Sequence, residues 1–252
     1  VNTDLAGGTT PHRAATTALL FLVWLLGVTI ASHHNPFAGL DVAVGEWFVE
    51  HRSPGMTAIV SALTVIFSPV WVGMWTVISA AVLGVRDRSL PRATQVLMTV
   101  AMAGAMCEIL KIAVGRARPP IAHQIGGTEL SMSFPSGHVS GTAALTLGLA
   151  VALTARSSMA RRAAAICVAL AVSLVAAATR LYLGAHWLTD VTAAIALGVG
   201  VAAIAPAVTA TTLTRLSPHL PERFHAFIDP TRSRDDHDHD HDHENSRCTA
   251  TH

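Results

Sequence analysis

The chain has 252 residues, of which 51% are hydrophobic and 13% charged. Soluble domains carry roughly 25% charged residues, so this composition argues against a water-soluble globular domain. The net charge of +1 decides little, because the charges are unevenly spread, and no nucleic-acid partner is expected.

Residues 1–13 form a short polar lead, read as cytoplasmic. The first apolar run, 14–31, is long enough to cross a bilayer. It lacks a small-residue cleavage site after a short apolar core, so it is read as an uncleaved span. In the segment 32–55, Leu40, Val44, Trp47, Phe48 and His51 recur at helical spacing. That pattern predicts a short helix lying in the membrane interface. Span two covers 57–84 and is interrupted by Ser68-Pro69. A kink is expected there, with Met56–Phe67 a tilted or partial helix.

Span three is 92–115, followed by a loop at 119–134. Spans four, five and six are 137–155, 162–180 and 186–210. The polar tail 211–252 is read as disordered and cytoplasmic, and 235–244 alternate aspartate and histidine before a glutamate. Such a run suits either a solvated tail or divalent metal. Cys107, Cys167 and Cys248 have no motif spacing, so neither a disulfide framework nor a zinc site is expected. The fold class is therefore all-α, a polytopic membrane bundle with six transmembrane helices. Arginine-rich turns at 86–92 and 156–162, with Arg13 and Arg215, orient both termini to the cytoplasm.

Three polar clusters then fall on the outer side. Lys111, the only lysine, stands seven residues before Arg118-Pro119, so the two cations can share a helix face. Arginine binds phosphate oxygens bidentately and lysine acts as a point charge. Pro135-Ser136-Gly137-His138 opens span four. Ser136 is expected to cap the helix start, and Gly137 lets its N–H groups approach a phosphate. His138 stands within a turn of them, placed to give a proton to a leaving oxygen. Arg180 precedes His186 and Asp190, which are spaced i, i+4 on one face. The carboxylate can hold one ring N–H and leave the other nitrogen to attack. Singly, each cluster has an ordinary explanation as a snorkelling anchor, a cap or a structural pair. Together on one side of one bundle they read as a phosphoryl-transfer site. The residues leave open which imidazole attacks, although the carboxylate favours His186.

Lys111-x6-Arg118-Pro119, Pro135-Ser136-Gly137-His138 and Arg180-x5-His186-x3-Asp190 resemble the three-part signature of the type 2 phosphatidic acid phosphatase (PAP2) family. One departure is Thr179, where the family usually has serine, and threonine keeps the hydroxyl. The resemblance implies a membrane lipid phosphatase that needs no metal or other cofactor and forms a phosphohistidine. It implies His186 as nucleophile, Asp190 as its orienting partner, and His138 as general acid and then activator of water. It assigns Lys111, Arg118, Ser136, the Gly137 amide and Arg180 to the phosphoryl oxygens. The implied partner is a lipid phosphate in the bilayer, with polyprenyl diphosphate favoured over phosphatidate and phosphatidylglycerol phosphate. A phosphotransferase, a non-catalytic lipid-phosphate-binding protein and a vanadate haloperoxidase share such a pocket. The oligomeric state is left open.

Outside the motifs, Trp47 and Trp187 are read as interfacial aromatics, and His123, Gln124 and Glu129 as outer-loop polarity. Glu108 is expected to pair with a cation, and Arg116 receives no role.

Overall fold

The computed structural model describes residues 11–127, 131–216 and 218. Among these are eight α-helices and no strand. They are α1 (Pro11–Ala31), α2 (Ala38–Glu50), α3 (Pro54–Ile66), α4 (Pro69–Val85), α5 (Leu90–Val114), α6 (Gly137–Thr154), α7 (Met159–Tyr182) and α8 (Leu188–Leu216). A single 3-10 turn, Ile121–His123, lies in the α5–α6 connection. Most of the lead, Glu129 and the His/Asp run of the tail lie outside the described residues.

Local chemistry explains the breaks. Pro54 and Pro69 start α3 and α4, where a missing N–H costs nothing. Ser53 Oγ caps α3 by accepting from Met56 N at 3.4 Å. The expected interruption at Ser68-Pro69 is a bend of 49° between α3 and α4. α5 stops at Gly115, whose φ of 61° closes a left-handed cap on the Lys111 carbonyl.

Five helices are each long and apolar enough to cross a membrane, and the bent α3–α4 pair makes six if it crosses once. Phe21, Leu22, Ile109, Ile112, Val168 and Leu174 are exposed along these helices, an apolar exterior suited to lipid. The protein is a multi-pass membrane protein.

α8 differs from the expected span of 186–210. It begins at Leu188 and runs to Leu216, passing through Pro206. The tail's first six residues, 211–216, are thus helical. Thr211, Thr212 and Thr214 bond their hydroxyls to the carbonyls of Ala207, Val208 and Ala210, each at 2.9 Å. Their polarity is absorbed within the helix, and Leu213 is buried. α2 is the short helix expected near the interface. It packs against α7 and α8 and buries Asp41.

α6 is the central element, packed by α4, α5, α7 and α8. Between helices in lipid there is little hydrophobic driving force, and close backbone approach through small residues takes its place. Ala143 and Ala144 of α6 meet Gly198, Val201 and Ala202 of α8. A Cβ on Gly198 would stand 2.5 Å from that of Ala143. Gly198→Val should therefore push α8 off α6 and cost about 1–3 kcal/mol, the usual range for overpacking. Thermal unfolding in detergent checks this, with Val199→Ala, on a half-buried face, as the milder comparison.

Candidate functional site

Three connections converge at one end of the bundle: the segment after α5, the segment before α6, and the α7–α8 loop. They carry the three clusters, and direct contacts join them. Arg118 Nη1 donates to the Ala185 carbonyl at 2.8 Å and approaches His186 Nε2 at 3.1 Å. Its other nitrogens donate to the Ser131 carbonyl and hydroxyl, both at 2.8 Å. Ser136 N donates to the Asp190 carbonyl at 3.3 Å. Lys111 Nζ lies 3.5 Å from where a Cβ on Gly137 would be. Lys111 also pairs with Glu108 at 3.2 Å, the partner expected for it. Arg180 is buried in α7 and donates to Thr64 Oγ1 of α3 at 3.0 Å. His138 is the second residue of α6 and half-buried.

Ser136 departs from expectation. It precedes α6 but makes no side-chain cap, and its buried hydroxyl has no protein partner. Its N–H bonds the Asp190 carbonyl, and the hydroxyl stands apart from that bond without a protein partner. The first turn of α6 thus keeps backbone N–H groups beside Lys111, a setting that favours an anion.

The ring of His186 is held from both sides. Nδ1 faces Asp190 Oδ2 at 3.4 Å, and Nε2 faces the Arg118 guanidinium at 3.1 Å. A guanidinium only donates and a carboxylate only accepts. The arrangement therefore selects the neutral tautomer with hydrogen on Nδ1 and the lone pair on Nε2. Burial is the largest influence on this imidazole and pushes its pKa below the ordinary value. Asp190 opposes that shift, while Arg118 and Arg180 add to it.

Asp190 sits at the third position of α8 and accepts the N–H of Trp187, the residue before the helix, at 2.9 Å. This is half of a capping box. The same oxygen accepts the Ser133 hydroxyl in a very short contact. The other oxygen, Oδ1, accepts from Arg116 Nη1 at 2.5 Å.

Arg116 and Asp41 were missed by sequence reasoning. Arg116 Nη2 donates to Asp41 Oδ2 at 2.6 Å, and Asp41 is 2% exposed. Asp41 Oδ1 also accepts Thr189 N at 2.9 Å. The available signals were an acid within the apolar stretch of α2 and a second arginine two residues before Arg118. Ser133 carried none. Trp187 is more than an interfacial aromatic: its indole donates to the Ala117 carbonyl at 3.0 Å, and Arg116 stacks over its ring at 5.5 Å.

Arg52 braces the loop that carries His186. It donates to the Tyr182 carbonyl at 2.7 Å and the His123 carbonyl at 2.7 Å. Burial lowers its pKa, with Tyr182 opposing. Gln124 ties the α5–α6 connection to itself through the Pro119 carbonyl at 2.8 Å. A cavity of about 140 Å³ opens beside His186, lined by Val42, Glu46 and Val49 of α2 with Pro119, His123 and Trp187 among its walls. Among the described residues no group of three or more His, Cys, Asp or Glu is placed to hold a metal ion.

Residues 92–213 match the family model of the PAP2 superfamily. This segment belongs to the PAP2 superfamily. The match runs from the start of α5 nearly to the end of α8 and contains all three clusters. The PAP2 fold is shared with the solved structure of the first transmembrane PAP2 type phosphatidylglycerolphosphate phosphatase from Bacillus subtilis. The identity is 21%, covering 78% of this chain and 96% of that one, with a TM-score of 0.68. Aquifex aeolicus LpxE aligns at 15% identity over 68% of this chain and 95% of that one, with a TM-score of 0.49. No curated protein matches the chain. Asp41 and Arg52 lie outside the matched PAP2 segment.

Gly184 seats the α7–α8 loop of the PAP2 segment against the α5–α6 connection. Its φ is +66°, and a Cβ there would overlap the His123 carbonyl. Gly184→Ala should cost about 1–3 kcal/mol in backbone strain. A displaced His186 should also lower turnover of a lipid phosphate by about 100-fold. Unfolding and steady-state assays on the same preparation check both.

Proposed function

We propose that the protein is a membrane lipid phosphatase working through a phosphohistidine, without a metal. The observation that carries this reading is the placement of the His186 ring, with Asp190 at Nδ1 and Arg118 at Nε2. A lone pair next to a guanidinium is a nucleophile beside an anion-binding group.

In the proposed first step the phosphate enters between Arg118, Arg180, Lys111 and the start of α6. Arg118 exchanges its contact with Nε2 for phosphoryl oxygens, which frees the lone pair. Nε2 forms a bond to phosphorus as the bond from that phosphorus to its bridging oxygen breaks, the oxygen leaving on the lipid alcohol of a monoester or on the lipid monophosphate of a diphosphate. His138 gives that oxygen its proton. Charge on the equatorial oxygens is met by the cations, the Ser136 hydroxyl and the Gly137 amide. Asp190 stabilises the ring as it becomes positively charged. In the second step His138 takes a proton from water, the oxygen attacks phosphorus, and the bond to Nε2 breaks. Inorganic phosphate leaves and His186 returns neutral.

The substrate is a phosphomonoester or diphosphate carried on a lipid, since the site lies at the end of an apolar bundle. Polyprenyl diphosphate is the first choice, ahead of phosphatidate and phosphatidylglycerol phosphate. The last is the substrate for which the Bacillus subtilis phosphatidylglycerolphosphate phosphatase, of the same fold, is named. Arginine-rich turns at the other end of the bundle support an outward-facing site with both termini in the cytoplasm.

Purified protein in EDTA should release phosphate from at least one of these three lipids. His186→Ala should lower kcat by more than about 1,000-fold. Burial lowers the His186 pKa, so the nucleophile stays neutral through pH 7 and is lost only on acidification. The acid limb of kcat/KM should therefore lie below about 6.5, the ordinary histidine value. Unchanged turnover in His186→Ala would refute the nucleophile assignment.

A further inference from the structure

We infer that Arg116 and Asp41 are positioning residues for this reaction, a two-link brace from α2 that sets the rotation of the Asp190 carboxylate. The inference rests on the phosphatase reading and adds residues that the three motifs do not contain.

The two oxygens of Asp190 have different duties. Oδ2 takes the Trp187 N–H at 2.9 Å, the Ser133 hydroxyl and the His186 Nδ1 side at 3.4 Å. Oδ1 takes Arg116 at 2.5 Å. A carboxylate turns about its bond to Cβ, and what holds Oδ1 decides where Oδ2 points. Arg116 is thus the side chain that fixes the far oxygen, and with the Trp187 N–H and the Ser133 hydroxyl it sets how Oδ2 meets the imidazole. Arg116 is fixed in turn by Asp41 at 2.6 Å and by its stack on Trp187. Asp41 is fixed by Asn35 Nδ2 at 2.9 Å and by Thr189 N at 2.9 Å, so it also caps α8 from a second helix. Asp41 and Asp190 are 2% and 0% exposed, and the Arg116 side chain 12%. In such a setting little water competes for the guanidinium, and its geometry passes to the carboxylate.

The brace also sets charge. His186 is faced by Asp190 from α8, Arg118 from the segment after α5, and Arg180 from α7. Glu46 of α2 and His123 line the cavity on its other side. Lys111 and His138 stand on the α5 and α6 side. None of these groups is itself replaced in the brace variants, so their charges are constant across the series. Asp41→Asn leaves the Arg116 charge less compensated, which disfavours protonation of His186 and moves the acid limb to lower pH. Arg116→Gln leaves two carboxylates facing each other, which favours protonation and moves the limb to higher pH.

The test uses the full chain in detergent, with kcat, KM, the acid limb of kcat/KM and thermal unfolding measured together. The expected result is a fall in kcat of about 100-fold for Asp41→Asn and Arg116→Gln. KM should stay within about threefold of wild type, because neither side chain contacts the phosphate in the proposed mechanism. The two limbs should move in opposite directions. Asp41→Glu and Arg116→Lys keep the charges and change the reach, so they should lose kcat with the limb unmoved. Wild-type kcat in folded variants would overturn the brace, as would equal losses in kcat with no limb movement in the charge-removing pair. Failure of all four variants to fold would also overturn it, in favour of a purely structural ion pair. A wild-type protein inactive on every lipid phosphate would sink the phosphatase reading instead.

Discussion

A carboxylate removed from water must be compensated by donors, and Asp190 is the carboxylate on which this end of the bundle is organised. It is 0% exposed. The penalty for burying such a charge is several kcal/mol. Four donors meet it: the Ser133 hydroxyl, the Trp187 N–H, the Arg116 guanidinium and the His186 ring. The positive end of α8 adds to them. These groups come from separate stretches of chain, so the compensation exists only when the segments after α5 and before α6 reach the start of α8 together. Loss of one partner from a buried pair costs roughly 3–5 kcal/mol, since the remaining charge is stranded. The chemistry and the stability of this region are therefore one set of contacts.

Below that polar end the problem is reversed. The helices meet in a medium as apolar as their own side chains, and the α6–α8 contact depends on alanine and glycine approaching closely. That closeness brings the start of α6 to the start of α8, where Ser136 N reaches the Asp190 carbonyl. The bent pair α3–α4 serves the same end from outside, since Thr64 on α3 holds Arg180 and Arg52 before α3 holds the α7–α8 loop. Charged groups gather at helix ends, where the cost of a cation is smaller than at the bilayer centre.

Much of this was legible in one dimension because the signals are local or periodic. The apolar runs, the Ser68-Pro69 break and the succession of helices follow from span length and from proline chemistry. The three clusters were legible because each is short and each ends a span on the same side. The far end of α8 was not, since its threonines read as polar tail while their hydroxyls fold back onto the helix's own carbonyls. The capping role expected of Ser136 is not met, since its hydroxyl accepts no N–H of the first turn, while its own N–H bonds a carbonyl 54 positions away in sequence. Asp41 and Arg116 were missed for the same reason: an ion pair 75 residues apart has no periodicity to betray it.

The amino-acid sequence by itself determined that the chain enters a membrane, how often it turns, and which side chains stand at one end of the bundle. Those properties depend on the order of apolar and polar residues, which is a one-dimensional quantity. Only the tertiary structure decided the tautomer favoured for His186, the oxygen of Asp190 that faces it, and the recruitment of α2 through Asp41. Each of these depends on direction and on distances of about 3 Å, the range over which hydrogen bonds act. Such distances arise from how helices pack, and no spacing along the chain encodes them.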